Sequence, residues 1–177
     1  MTKQIFSNCT MFLVLGFAAA LTNASAQGTA SPQETPGLEG VWFAVVTPVT
    51  CDTHVPLPST VPPGPFRGLN MFSHDGSMTN EAAFLTPGIP PRSGGVGTWQ
   101  HTQAQLYTAT FRFFRYKDDG SFLAMRKVTL KTIMLYGGQF TSFDEFQDFD
   151  DHNNPMQPTP GGPPTSGCNI ENAVRVQ

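Results

Sequence analysis

Charge is scarce in this sequence, and so is any catalytic signature. Asp, Glu, Lys and Arg make up 13% of its 177 residues, and the formal net charge is −3. A mildly acidic chain lacks the basic stripe that neutralises phosphates, which excludes nucleic acid as a partner. There is no Gly-x-Ser-x-Gly elbow, phosphate-binding loop or dinucleotide fingerprint. The four histidines, His54, His74, His101 and His152, form neither a His-x-His nor a His-Glu-x-x-His pattern, so the usual zinc centres are excluded. Cysteine is rare, with three in all and no Cys-x-x-Cys pair to support redox chemistry. No helical periodicity is present. Beyond the N-terminus, no apolar run is long enough to span a bilayer.

The N-terminus itself reads as a secretory signal peptide over residues 1–26. Lys3 supplies a positive start, Met11 to Leu21 a short apolar run, and Ala24-Ser25-Ala26 a small-residue cleavage site. Cleavage there removes Lys3 and leaves a net charge of −4. The remaining chain has the length of one domain. Residues 27–39, rich in Ser, Thr, Pro and Gly, read as a flexible leader, and residues 40–177 as the domain. The expected location is secreted or periplasmic. In such a compartment the two remaining cysteines, Cys51 and Cys168, are expected to form one disulfide joining the end of the first strand to the start of the last.

What the chain has in quantity is turn residues and aromatics, with 17 Gly, 16 Pro and 15 Phe. Pro/Gly-rich loops at about 52–65, 86–95 and 153–167 separate β-rich runs. The proline-rich loop after Cys51 reads as a rigid cover over one end of the fold. The first strand runs from about Gly40 to Thr50. A hairpin over Arg67 to Phe84 turns at Asp75-Gly76, and Leu69, Met71, Met78, Ala82 and Phe84 are expected inside. His74-Asp75-Gly76-Ser77-Met78 echoes Asp118-Asp119-Gly120-Ser121-Phe122, which predicts two similar hairpin turns. A final strand spans Asn169 to Val176. The fold class expected is all-β, an antiparallel up-and-down barrel of about eight strands, with a sandwich as the alternative.

The stretch from Gly94 to Asp151 forms the centre of this scheme, as four strands joined by turns at Lys117–Gly120 and Gly137-Gly138. A two-residue turn at Gly137-Gly138 sets Lys131 opposite Asp144 and Lys127 opposite Asp148, on the wet face. The opposite face then collects Tyr107, Ala109, Phe111, Phe113, Ala124, Val128, Leu130, Met134 and Phe143. By the same parity Arg126, Glu145 and Gln147 point inward, and His101 follows if Trp99 does. Buried charges need partners, water or a ligand. His101, Tyr107 and Glu145 are therefore the catalytic candidates. Trp42, Trp99, His101, Tyr107, Phe111, Phe113, Arg126, Phe143 and Glu145 are the candidate ligand-binding lining. The acidic run from Asp144 to Asn154 offers alternate oxygen ligands suited to calcium, but it lacks the EF-hand glycine and late glutamate. These residues read as turn and ladder groups, and neither a metal nor a cofactor is expected.

Gly40-Val41-Trp42 opens the first strand in the way Gly-x-Trp does in lipocalins and the wider calycin group, and a second such triplet is Gly97-Thr98-Trp99. The late Arg175 resembles the basic residue that those proteins place across the first Trp. The pattern of Gly97-x-Trp99, Tyr107, Phe111, Asp119-x-Ser121-Phe122 and Cys168 is similar to exported bacterial barrel proteins, some resembling the barrel of allene oxide cyclase. There is no C-terminal helix and no second lipocalin motif. The resemblance implies a barrel around a small-molecule cavity. The expected function is binding of a small, largely apolar molecule. The alternatives are an isomerase or cyclase on the same scaffold and a non-enzymatic envelope or surface protein.

Overall fold

Alternation of large apolar with smaller or polar side chains commits most of this chain to strands, and the strands close on themselves. The computed structural model describes residues 37–58, 64–83 and 91–176. The signal-peptide and most of the leader assignments lie outside these residues. Eight strands follow in order: β1 (Gly40–Val49), β2 (Phe66–Phe72), β3 (Ser77–Ala83), β4 (Gly95–Gln103), β5 (Leu106–Tyr116), β6 (Phe122–Tyr136), β7 (Gln139–Phe149) and β8 (Ser166–Arg175). Each pairs antiparallel with its chain neighbours, and β1 pairs with β8, giving a closed barrel rather than a sandwich. Closure leaves no sheet edge unpaired. The architecture is the expected one and is consistent with a calycin-like barrel. No helix among the described residues is long and apolar enough to cross a membrane.

The two echoed segments form the same turn. In each, Gly donates its N–H to the residue three back, Gly76 to Ser73 and Gly120 to Lys117. In each, the Asp carboxylate accepts both the backbone N–H and the hydroxyl of the following Ser, at 2.9 and 2.6 Å. Both glycines sit at φ near +80°, where a Cβ would be strained. The Cys51–Cys168 disulfide joins the end of β1 to the start of β8, across 117 residues, at the barrel end that carries the Gly120 turn.

Register decides what is inside. Along β5, Tyr107, Ala109, Phe111 and Phe113 are buried, as expected, and so is Arg115. Across from them lie Ala124, Val128 and Leu130. Lys131 is then an extra residue: Leu130 pairs with Asp144, but Thr132 pairs with Phe143. This bulge reverses the parity of β6 beyond it. Ile133 and Leu135 point inward, and Met134 is 57% exposed rather than internal.

The same bulge shifts β7 by one. Asp144 and Asp148 are buried, while Phe143, Glu145 and Gln147 take the outward positions. Lys131 pairs with Glu145 and not with Asp144, and Arg126 rather than Lys127 sits opposite Asp148. A second correction falls in the β2–β3 hairpin. Phe72 pairs with Met78 and Asn70 with Asn80, so these face inward and Leu69 and Met71 face out. Phe84 lies outside the described residues.

The interior has two halves. At the end that carries the Gly76 and Gly137-Gly138 turns, Trp42, Phe72, Met78, Tyr107, Ile133, Leu135 and Phe140 pack solidly, with Trp99 against them. Leu38 plugs this end and accepts a 2.7 Å hydrogen bond from Trp42 Nε1. The ordered domain therefore includes Gly37–Glu39, which the sequence reading placed in the leader. Arg175 lies 4.4 Å over the Trp42 ring and donates to the carbonyls of Gly37 and Glu39. The Trp–Arg contact implied by the calycin resemblance is present. The other half of the barrel is hollow.

Candidate functional site

The hollow half is a cavity of about 320 Å³ at the disulfide end. Its walls come from alternate inward positions of the strands, including Phe66, Phe111, Phe113, Val128 and Phe146. Leu57, Gly162 and Pro164 contribute from the connecting loops. Gly97 belongs to the scaffold behind this wall. A Cβ there would lie 2.0 Å from the Thr110 carbonyl oxygen, so only glycine lets β4 approach β5 this closely.

Polar groups converge where the packed half meets the hollow half. Asp144 and Glu171, on neighbouring strands, both line the cavity and are 2% and 3% exposed. They hydrogen-bond to each other. Burial pushes Asp144 up to about 7, against hydrogen bonds from Ser142 and Glu171 that lower it. Burial also raises Glu171 well above the ordinary carboxylate range, and the neighbouring Asp144 raises it further. Two buried carboxyl groups bonded to each other in this way hold a proton between them.

This pair ends a chain of hydrogen bonds that runs from Arg92 through Asn80 and Asn70 to Glu171. Arg92 Nη2 donates to Asn80 Oδ1 at 2.8 Å, and Asn80 Nδ2 to Asn70 Oδ1 at 2.7 Å. Asn70 Nδ2 donates to Glu171 Oε1, Glu171 and Asp144 share a hydrogen bond, and Ser142 Oγ donates to Asp144 Oδ1 at 2.6 Å. A cation thus stands at one end and a carboxylate at the other. Aligned bonds in a low-dielectric interior polarise one another. Asn70 and Asn80 are buried, and each amide both donates and accepts a hydrogen bond, which accounts for their place in the interior.

A separate ion cluster braces the wall. Asp148 is buried between Arg115 and Arg126, with Arg126 Nε 2.6 Å from its Oδ1. Arg126 Nη2 also donates to the Pro164 carbonyl at 2.9 Å, tying the last loop to the barrel. Its guanidinium stacks 4.0 Å from Phe146, and that of Arg92 stacks 3.8 Å from Phe113. Burial lowers Arg92 to about 10, still charged at neutral pH. Burial lowers Arg115 as well, helped by nearby Arg126 and opposed by Asp148. Among the described residues no carboxylate lies within ion-pair distance of Arg92.

Of the residues picked out from sequence, Phe111, Phe113 and Arg126 line the cavity. Trp42, Trp99 and Tyr107 belong to the packed end. His101 is exposed near that end, with its ring 4.8 Å from Tyr107 and Nε2 2.7 Å from the Ala104 carbonyl. Phe143 is on the outer face against the ring of His54, and Glu145 is outside with Lys131. The trio of His101, Tyr107 and Glu145 is therefore not assembled, because the bulge turns Glu145 outward.

Asp144, Glu171, Arg92, Asn70 and Asn80 were missed. A signal for the first lay in Arg115 and Arg126: both fall on the inner face by parity and demand a buried carboxylate. The unshifted register offers them Glu145; the observed one-residue shift of β7 gives them Asp148 and brings Asp144 inside with it.

In the acidic loop, Asp150, Asp151 and His152 bring ligand atoms within 4.8 Å of one another. The Asp150 carboxylate already accepts the backbone N–H groups of His152 and Asn154 at 2.9 and 2.7 Å, the ordinary work of a turn aspartate.

Comparison of the chain with family models, with curated proteins and with solved structures gives no match.

Proposed function

We propose that this protein is an exported barrel that binds a small, largely apolar molecule in its hollow half. The observation that carries this reading is the cavity of about 320 Å³, walled by phenylalanines and Val128, with a few polar groups converging at its floor. Binding sites for small molecules have this size and this balance of apolar wall and placed polar groups. Export is supported by the signal-like N-terminal sequence and by the Cys51–Cys168 disulfide, which suits an oxidising compartment. The test is calorimetric titration with octan-1-ol. Binding with a negative heat-capacity change is expected, and no heat at millimolar ligand would overturn the reading.

A second reading, a non-enzymatic surface protein, has one observation in its favour. On the outer face of β8, β1 and β2, Val41, Phe43, Leu69, Met71 and Val174 form a continuous apolar strip with Phe43 opposite both Leu69 and Val174. Sedimentation of wild type against Phe43→Ser tests it: identical monomers would remove self-association through this face.

A further inference from the structure

The cavity floor carries more machinery than an apolar ligand needs. A buried pair of carboxyl groups is seldom worth its desolvation, and apolar residues of similar volume would stabilise the barrel at least as well. Yet Asp144 and Glu171 are nine-tenths or more buried, hydrogen-bonded to each other and open to the cavity on their remaining side. Asn70, Asn80 and Arg92 hold them from one direction, and Ser142 from the other. That shell locks both carboxyl groups, as a proton-transfer site requires.

We propose that the Asp144–Glu171 pair is a general base acting on an enolisable carbonyl compound bound in this cavity. The proposal rests on the cavity being the binding site. The ionised carboxylate of the pair takes a proton from the carbon next to the carbonyl, the C–H electron pair forms the C=C bond of the enolate, and the carbonyl π pair moves onto oxygen. The negative charge develops on the carbonyl oxygen, in a cavity that also holds Arg92 and Arg126. A proton then returns from the pair to carbon. When the pair has first traded the abstracted proton for one from solvent, return to the original carbon gives exchange, read in D2O as deuterium uptake. Return to the far carbon of a β,γ double bond gives the conjugated isomer. No oxidant, reductant or second substrate enters. An acid–base group with an affinity for protons balanced near neutral pH suits such a step.

The test uses the whole disulfide-bonded protein with cyclohexanone in D2O, following loss of the α-proton signals by NMR. Wild type is expected to accelerate exchange over buffer, with saturation in ketone. Asp144→Asn should lower that rate at least about 100-fold, within the range that a positioned acid–base group contributes. If Asp144→Asn fails to fold, Glu171→Gln takes its place with a loss in the same direction. Val128→Trp, which leaves both carboxyls intact and fills the cavity, should abolish the acceleration. The matched probe 3-cyclohexenone should give 2-cyclohexenone, read by its ultraviolet absorbance.

Ketone contact by saturation-transfer NMR without any exchange would overturn the proposal and leave the cavity reading standing. No ketone contact would overturn both. Exchange that survives Asp144→Asn and Glu171→Gln would overturn the assignment of the base.

Discussion

Raising the pH should weaken this fold. The unfolded chain releases the Asp144 proton near 3.8, and the folded barrel holds it up to about 7. Between these values the unfolded state binds fewer protons, so stability falls as pH rises. The contribution is complete below about pH 4 and is lost progressively through pH 7. Moving from 3.8 to about 7 corresponds to about 4 kcal/mol, of which about 3 kcal/mol is lost between pH 5 and pH 8. Glu171, raised in the same direction, extends the loss upward. Asp75, Asp119 and Asp150 are lowered by turn hydrogen bonds, so their stabilisation is lost only below the ordinary carboxylate range, outside this window.

Urea unfolding of the disulfide-intact protein at pH 5, 6, 7 and 8 should give a falling free energy. Asp144→Asn should flatten the curve, because its amide does not titrate and is close to isosteric. A wild-type curve that is flat or rises over this range would refute the reasoning. So would an Asp144→Asn curve with an unchanged slope.

Four further outcomes follow from the geometry. Replacing both Cys51 and Cys168 by Ser opens a loop of 117 residues, and the lost chain restriction should cost about 5 kcal/mol in denaturant unfolding, or less if the unfolded chain retains structure. Asp148→Asn leaves Arg115 and Arg126 buried without their carboxylate and should cost about 3–5 kcal/mol by the same measurement. Gly97→Ala drives a methyl against the Thr110 carbonyl and the Phe111 Cα, at 2.0 and 2.5 Å, and should destabilise by about 1–3 kcal/mol or more. Lys131→Ala removes an ion pair whose side chains are 50% and 43% exposed; it should change stability by less than about 1 kcal/mol, and that remainder should shrink in high salt.

The barrel was legible because its turns and alternation agree. Asp75-Gly76, Asp119-Gly120 and Gly137-Gly138 place three of the hairpins, and the inward run of Tyr107, Ala109, Phe111 and Phe113 sets the face of β5. The site was not legible, for two physical reasons. A bulge at Lys131 carries no hydrophobic signature, yet one extra residue turns β7 inside out. The sequence then puts Glu145 indoors and Asp144 outdoors, the reverse of what the chain does. Second, hydrophobic patterning assumes an apolar interior, so Leu69 and Met71 read as core, and nothing in the pattern brings the amides of Asn70 and Asn80 together inside. Those amides are inside because each satisfies the other and Glu171. Their satisfaction depends on residues 101 positions apart in the chain, which no local pattern records.

The most direct measurement is an octan-1-ol titration of wild type beside Val128→Trp. The account predicts saturable binding with a negative heat-capacity change for wild type, and its loss when the indole fills the space between Phe111 and Phe146. Equal binding by the two proteins, or none by wild type, would contradict it.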